Sequence, residues 1–291
     1  MTKRYESRQV FWAANVRTKS FSERLDAALA GGFREMSIFP LDVQTFAAAG
    51  LPATALRRLA ESRGIRISVL DPYALWVPDT TPARWATLSD LAFVQFSEDE
   101  IFRMAEELGV ESINLIETFG NHVDPDAASE HLAAFARRAA MYGWRTQLEF
   151  MPFSGIPDLE AAWRIVRDLD PATVGLTFDT WHYFRGRVDP ELLRGIRGER
   201  IFQVQLADAT HALRGATLVD DLLHHRLLPG DGDFPIQDVL QTLRDTNGLS
   251  SIGIELFSDA LDALPGDEVG RRVGERLRAV LGAGSPALDA S

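Results

Sequence analysis

Four polar residues close apolar runs in the second half of the chain: Glu149 in QLEFMP, Asp179 in GLTFDTWH, Gln205 in FQVQLADA and Glu255 in SIGIELFS. Each run reads as a buried β-strand, so the four sit at or near strand ends. Three carboxylates and an amide oxygen are the donor set of a hard divalent cation. Taken singly, a carboxylate after a strand reads equally well as the cap of the next helix. Four in successive units argue for a site, because clustered carboxylates repel one another unless a cation lies among them. All-oxygen donors favour Mn²⁺ or Mg²⁺, with Co²⁺ next. Zn²⁺ is less suited to a set without histidine or cysteine. Three carboxylates against a dication leave net negative charge, which favours an extra proton or a neutral hydroxy-carbonyl at the ion.

Other groups fall close to these four in sequence. His182 follows Asp179 in DTWHYFRG and is a candidate general base, substrate ligand or partner of a metal ligand. Arg185 comes next and could bring a cation to the mouth. His224-His225-Arg226 precede the turn Pro229-Gly230-Asp231-Gly232, and Arg226 is a candidate for holding a substrate oxygen. Glu117 ends another strand, with Asn121 and His122 just beyond, so Glu117 and His122 are candidate pocket residues. Trp12, Trp76 and Phe150 could form an apolar wall, although aromatic residues at such places are commonly plain core.

Positioning these groups requires strands that end at one mouth. The chain alternates short apolar runs with amphipathic stretches. Strands are predicted at 10–16, 35–39, 65–70, 112–118, 146–150, 174–179, 201–206 and 251–256. Helices are predicted at 21–30, 54–63, 98–108, 124–142, 158–169, 234–246 and 268–281. Glycine after a helix and before a strand is the punctuation of a parallel sheet. Eight such units predict a single (β/α)8 TIM barrel spanning 1–291, with a frayed tail from about 285. A doubly wound sheet is the rival, but the turn after the first run, Arg17-Thr18-Lys19-Ser20, lacks the glycines expected there. Two long connections, 71–98 (with Trp76, Trp85 and Phe93) and 207–233, are candidate lids.

Composition narrows the function classes. The 291 residues are 46% hydrophobic and 25% charged, which suits a globular domain with a large core. The chain has no cysteine, which excludes disulfides, thiolate metal sites and cysteine nucleophiles. A net charge of −12 argues against nucleic acid as a partner. No secretion signal and no membrane-length apolar run are visible, so a cytoplasmic location is expected.

At these residues the chain resembles the xylose isomerase-like TIM barrel superfamily of sugar phosphate isomerases and epimerases. The matching elements are Glu149 in LEF, Asp179 and His182 in FDTWH, Gln205 and Asp208 in VQLAD, PGDGDF at 229–234 and Glu255 in IEL. They cover about the last 150 residues. Most such families carry histidine at the strand-7 position. Glutamine there is closer to 3-dehydroshikimate dehydratase-like members. The resemblance implies a small keto-sugar, cyclitol or related hydroxy-carbonyl as substrate and proton abstraction beside its carbonyl. Return of the proton elsewhere makes an isomerase or epimerase, with Glu149 and Glu255 as acid/base groups on opposite faces. Departure of a β-substituent makes a lyase acting on 3-dehydroshikimate, inosose or a 3-keto-glycoside, with His182 as base. Barrels of this type often dimerise, so a homodimer is within the expectation. An endonuclease IV-type nuclease would need more histidines than the six present. A non-catalytic sugar-binding barrel is the remaining alternative.

Overall fold

In the computed structural model, which describes residues 7–77 and 95–282, eight parallel strands close into one barrel in the order of the chain. They are β1 Arg8–Phe11, β2 Glu35–Ile38, β3 Arg66–Tyr73, β4 Ser112–Ile116, β5 Arg145–Glu149, β6 Val174–Asp179, β7 Ile201–Leu206 and β8 Ser251–Ile254. This is the (β/α)8 fold that the alternation predicts. Helices surround the barrel, and the main apolar core fills the layer between them and the sheet.

Local chemistry sets the element ends. Ser20 accepts from Glu23 N while the Glu23 carboxylate accepts from Ser20 N, so both start the helix Phe21–Gly31. Ser97 and Glu100 repeat the arrangement for Glu98–Leu108. Gly32 ends the first helix at φ +86°, a conformation that side chains other than glycine disfavour.

The first predicted strand, 10–16, is too long. The strand stops at Phe11, and Ala13–Val16 turns as a 3-10 helix. The reason is Asn15, whose side chain donates to Ile254 O at 2.7 Å and accepts from Leu256 N at 2.9 Å. Its amide thus takes over the pairing that a longer β1 would have made with β8. A helix at Pro40–Ala48 was not predicted, although proline at its first position is a start signal. The connection 207–233 carries the helix Leu218–His224. Trp85, Phe93 and the tail from 285 lie outside the described residues, as does most of the 71–98 connection.

Candidate active site

The four residues singled out by type and spacing lie side by side at one end of the barrel. In the register of adjacent strands, Asp179 pairs with Gln205 and Gln205 with Gly253. Glu149 closes β5 beside Thr177, and Glu255 follows β8 by one residue, its N–H donating to Leu206 O. All four are buried, none more than 5% exposed. Strand period 2 keeps each on the inner face.

Local bonds hold these positions. Thr180 pairs with the end of β7, donating to Ala207 O and accepting from Ala207 N. Asp179 caps the helix Thr180–Arg185 by accepting from His182 N through Oδ1, which leaves Oδ2 for Arg226 at 2.7 Å. It is therefore both a cap and a member of the cluster. Asp208 accepts from Gly230 N, Gly232 N and Phe234 N and so pins the PGDGDF turn. The adjoining Leu227 bridges back to Asp208, which sets the placement of Arg226.

Arg226 is 1% exposed and sits among the acids, with Nη1 3.5 Å from Glu255 Oε2. Its Nη2 lies 3.3 Å from His182 Nε2, and the same nitrogen is 3.3 Å from Glu149 Oε1. One neutral tautomer cannot serve both neighbours. The guanidinium needs a lone pair on Nε2, and the carboxylate needs a proton there. Nε2 of His182 thus lies between a donor and an acceptor.

One acid at the site was named in the sequence only as the start of a loop. Asp71, near the end of β3, is buried and faces the same cavity. Asn114 Nδ2 donates to Asp71 Oδ1 at 2.7 Å and to Glu149 Oε2 at 2.6 Å, so one amide bridges the two carboxylates. Thr177 in turn orients Asn114. Burial, with the Glu149 charge second, pushes Asp71 up to about 8. Glu255 is driven well above the usual carboxylate range, first by burial and then by Asp71, with Arg226 opposing. Asp71 could have been found as a polar residue ending the apolar run ISVLD, the same pattern that marked the other four.

The donor set fits a divalent cation. Ligand atoms of Glu149, Asp179 and His182 lie within 4.8 Å of one another. The Gln205 amide is fully buried, and neither its oxygen nor its nitrogen has a partner among the described residues. A buried amide without a partner is costly, and a cation bound within reach of its oxygen would satisfy it. His182, expected as a base, is thus also placed within ligating range.

The remaining expected residues lie elsewhere. Arg185 pairs with Asp221 at 2.8 Å and with His211 O, holding the 207–233 connection rather than lining the cavity. Glu117 accepts from the N–H groups of Phe119, Gly120 and Gly155, and organises two loops. His122 is exposed and away from the cavity. Trp12 is inside the barrel with Val10 and Val69, tight against Gly253, and its Nε1 has no partner among the described residues. Trp76 and Phe150 are core.

The cavity over the cluster measures about 580 Å³. Asp71, Glu149, His182, Arg226 and Glu255 line its polar part. A cavity at one mouth of a parallel barrel, with acids, a histidine and an arginine converging on it, has the form of an enzyme active site. The chain belongs to the xylose isomerase-like TIM barrel family, whose model matches residues 25–279. It is similar to the 3-dehydroshikimate dehydratase of Pseudomonas aeruginosa, with 28% identity over 246 residues, 84% of this chain and 37% of that protein. The chain thus spans little more than a third of the length of that relative. It is also similar to the inosose isomerase of Bacillus velezensis, at 26% identity over 53% of this chain and 55% of that one. Among solved structures, the IOLI protein with a bound zinc atom superposes with a TM-score of 0.80. It is 17% identical, covering 96% of this chain and 99% of its own. Among the described residues no helix is long and apolar enough to cross a membrane.

Proposed function

We propose that this protein is a divalent-metal-dependent enzyme that removes a proton beside a carbonyl of a small polyhydroxylated keto-sugar or cyclitol. The observation that carries this reading is His182 Nε2, held 3.3 Å from both Glu149 and Arg226 at the floor of a cavity ringed by buried acids. Glu149, Asp179, Gln205 and Glu255 are the residues that would hold the ion, with His182 within ligating range. Mn²⁺ or Mg²⁺ suits the oxygen donors best, Co²⁺ next. Bound there, the ion supplies polarisation of a substrate carbonyl, which acidifies the adjacent C–H.

The chain's own groups perform the rest. His182 or Glu149 takes the proton. Arg226 places a donor beside the developing oxyanion. The buried surroundings keep water away from the carbanionic intermediate. Asp71, held toward the neutral form by burial and the Glu149 charge, can return a proton to carbon or to a departing hydroxyl.

Elimination of a β-hydroxyl is favoured by Gln205 at the strand-7 position and by the dehydratases that match 84% of the chain. Isomerisation is the second reading, favoured by similarity to inosose isomerases. A solvent-deuterium exchange screen with Mn²⁺ separates them. The panel holds ketohexoses, inosose, 3-dehydroshikimate and 3-keto-glucosides, read by NMR and ultraviolet absorbance. A conjugated chromophore or a released group marks the lyase. Deuterium in an epimeric or isomeric product marks the isomerase. No exchange from any member of the panel would sink the reading.

A further inference from the structure

Above its base, the cavity that holds the acids is lined mainly by apolar side chains. Two apolar walls rise from it on opposite arcs of the barrel. One is Phe39, after β2, with Phe257, after β8; their rings are stacked at 6.0 Å and 19°. The other is Ile116, Phe119 and Met151, which form a separate apolar cluster after β4 and β5. Val219, Leu222 and Leu223, on the helix Leu218–His224, add a third apolar surface.

The charged groups that also reach this part of the cavity already have partners. Asp42 takes both guanidinium arms of Arg24. Arg17 is held by Asp262, by Asp259 and by Leu223 O. His224 is bonded to Asp259 at 2.8 Å. Asp262 Oδ1 is a buried polar atom without a partner among the described residues, and the hydroxyl-bearing Thr18 and Thr118 also line the cavity.

A polyhydroxylated ring alone matches the floor but not these walls. Hydroxyl groups laid against them would lose water without gaining partners. An apolar substituent would bury its own surface there instead. Resting on the reaction class above, we infer that the substrate carries an aryl-sized apolar substituent on its keto ring. The ring's oxygens face the acids and Arg226, and the substituent lies between the phenylalanine pair and the Ile116–Met151 wall.

The test compares two probes on the Mn²⁺-loaded protein: phenyl 3-keto-β-glucoside and its methyl counterpart. Calorimetry gives the dissociation constants, and NMR follows deuterium exchange at the carbon beside the ketone. The phenyl compound is expected to bind at least tenfold more tightly. Leu41, just after Phe39, and Val219 both line the cavity half-buried, and Leu41→Asp and Val219→Asp are each expected to collapse the phenyl-to-methyl ratio toward one. Thermal melts confirm that the variants fold. Equal affinities, with exchange in both probes, would overturn the substituent and leave the reaction class standing. A phenyl advantage untouched by both folded variants would also overturn it. Failure of both probes to bind and exchange would overturn the reaction class and this inference together.

Discussion

The two halves of the barrel serve the site differently. β5 to β8 deliver Glu149, Asp179, Gln205 and Glu255, one from each strand or its end, all buried on one inner face. β1 to β4 deliver no comparable row. They contribute Asp71, the bridging amide of Asn114 and, from the turn after β1, the amide of Asn15 that brackets Glu255. The second half supplies the donors that a cation would neutralise. The first half mainly aligns those donors. A charged donor announces itself in sequence, whereas an aligning amide has meaning only once its partners are known.

The largest effect should come from the second half. Glu255→Gln is expected to lower turnover on the order of a thousandfold, the upper end of the loss from removing one preorganised polar group from an active site. Its melting temperature without metal should stay level or rise, because burial and Asp71 already disfavour the ionised Glu255. Near-normal turnover would move the centre of the chemistry away from β8. Unfolding of the variant would make the cluster structural.

Asp71→Asn probes the first half at its most charged point. Turnover should fall by about a hundredfold or more, as expected when a general acid is removed, and pH should expose the acid directly. Asp71 holds its proton in the folded, metal-free protein up to about 8, against about 3.8 when unfolded. Below about 3.8 both states are protonated and this stabilising contribution is complete. As pH rises toward 8 the unfolded state releases a proton that the folded state keeps, so stability falls. Melting in a chelator should therefore decline between pH 4 and 8, and the Asn variant should flatten the decline. Parallel curves for the two proteins would show that Asp71 is ionised throughout.

Asn15→Ala tests alignment without charge. It removes two hydrogen bonds and leaves Ile254 O and Leu256 N without their side-chain partner. The expected cost is about 1–3 kcal/mol in chemical denaturation. The loss of turnover should exceed the loss of metal affinity, because Glu255 shifts but is not removed. An unchanged denaturation midpoint would mean that β8 holds Glu255 unaided.

What was legible follows the same division. The eight strands were visible because each is an apolar run bounded by glycine, proline or a helix cap. The candidate donors were visible because a polar residue ending such a run is conspicuous. Asn15 was hidden because AANV continues the apolar run, and only the approach of β8, some 240 residues on, turns it into a local bend. Asp71 was hidden by Pro72, which made the residues look like the opening of a loop, whereas β3 continues to Tyr73. Arg185 was misjudged because its partner, Asp221, lies in a connection with no periodic pattern. Side-chain pairing across such distances depends on tertiary geometry that local propensity does not encode.

The smallest effect is expected where the second half departs from the donors common in its superfamily. Gln205→His replaces a neutral oxygen donor by a neutral nitrogen donor at the same strand position. If the buried amide oxygen faces the ion, the variant should keep a bound metal and lose less than about tenfold in turnover. Its preference should move toward Co²⁺ and Zn²⁺, which favour imidazole more than Mn²⁺ or Mg²⁺ do. Metal content after competition between Mn²⁺ and Zn²⁺ measures this without any substrate. An unchanged ratio would place Gln205 outside the donor set. Glu149, Asp179 and Glu255 would then define the ion's position, and the unpartnered amide would need another partner, most simply a buried water.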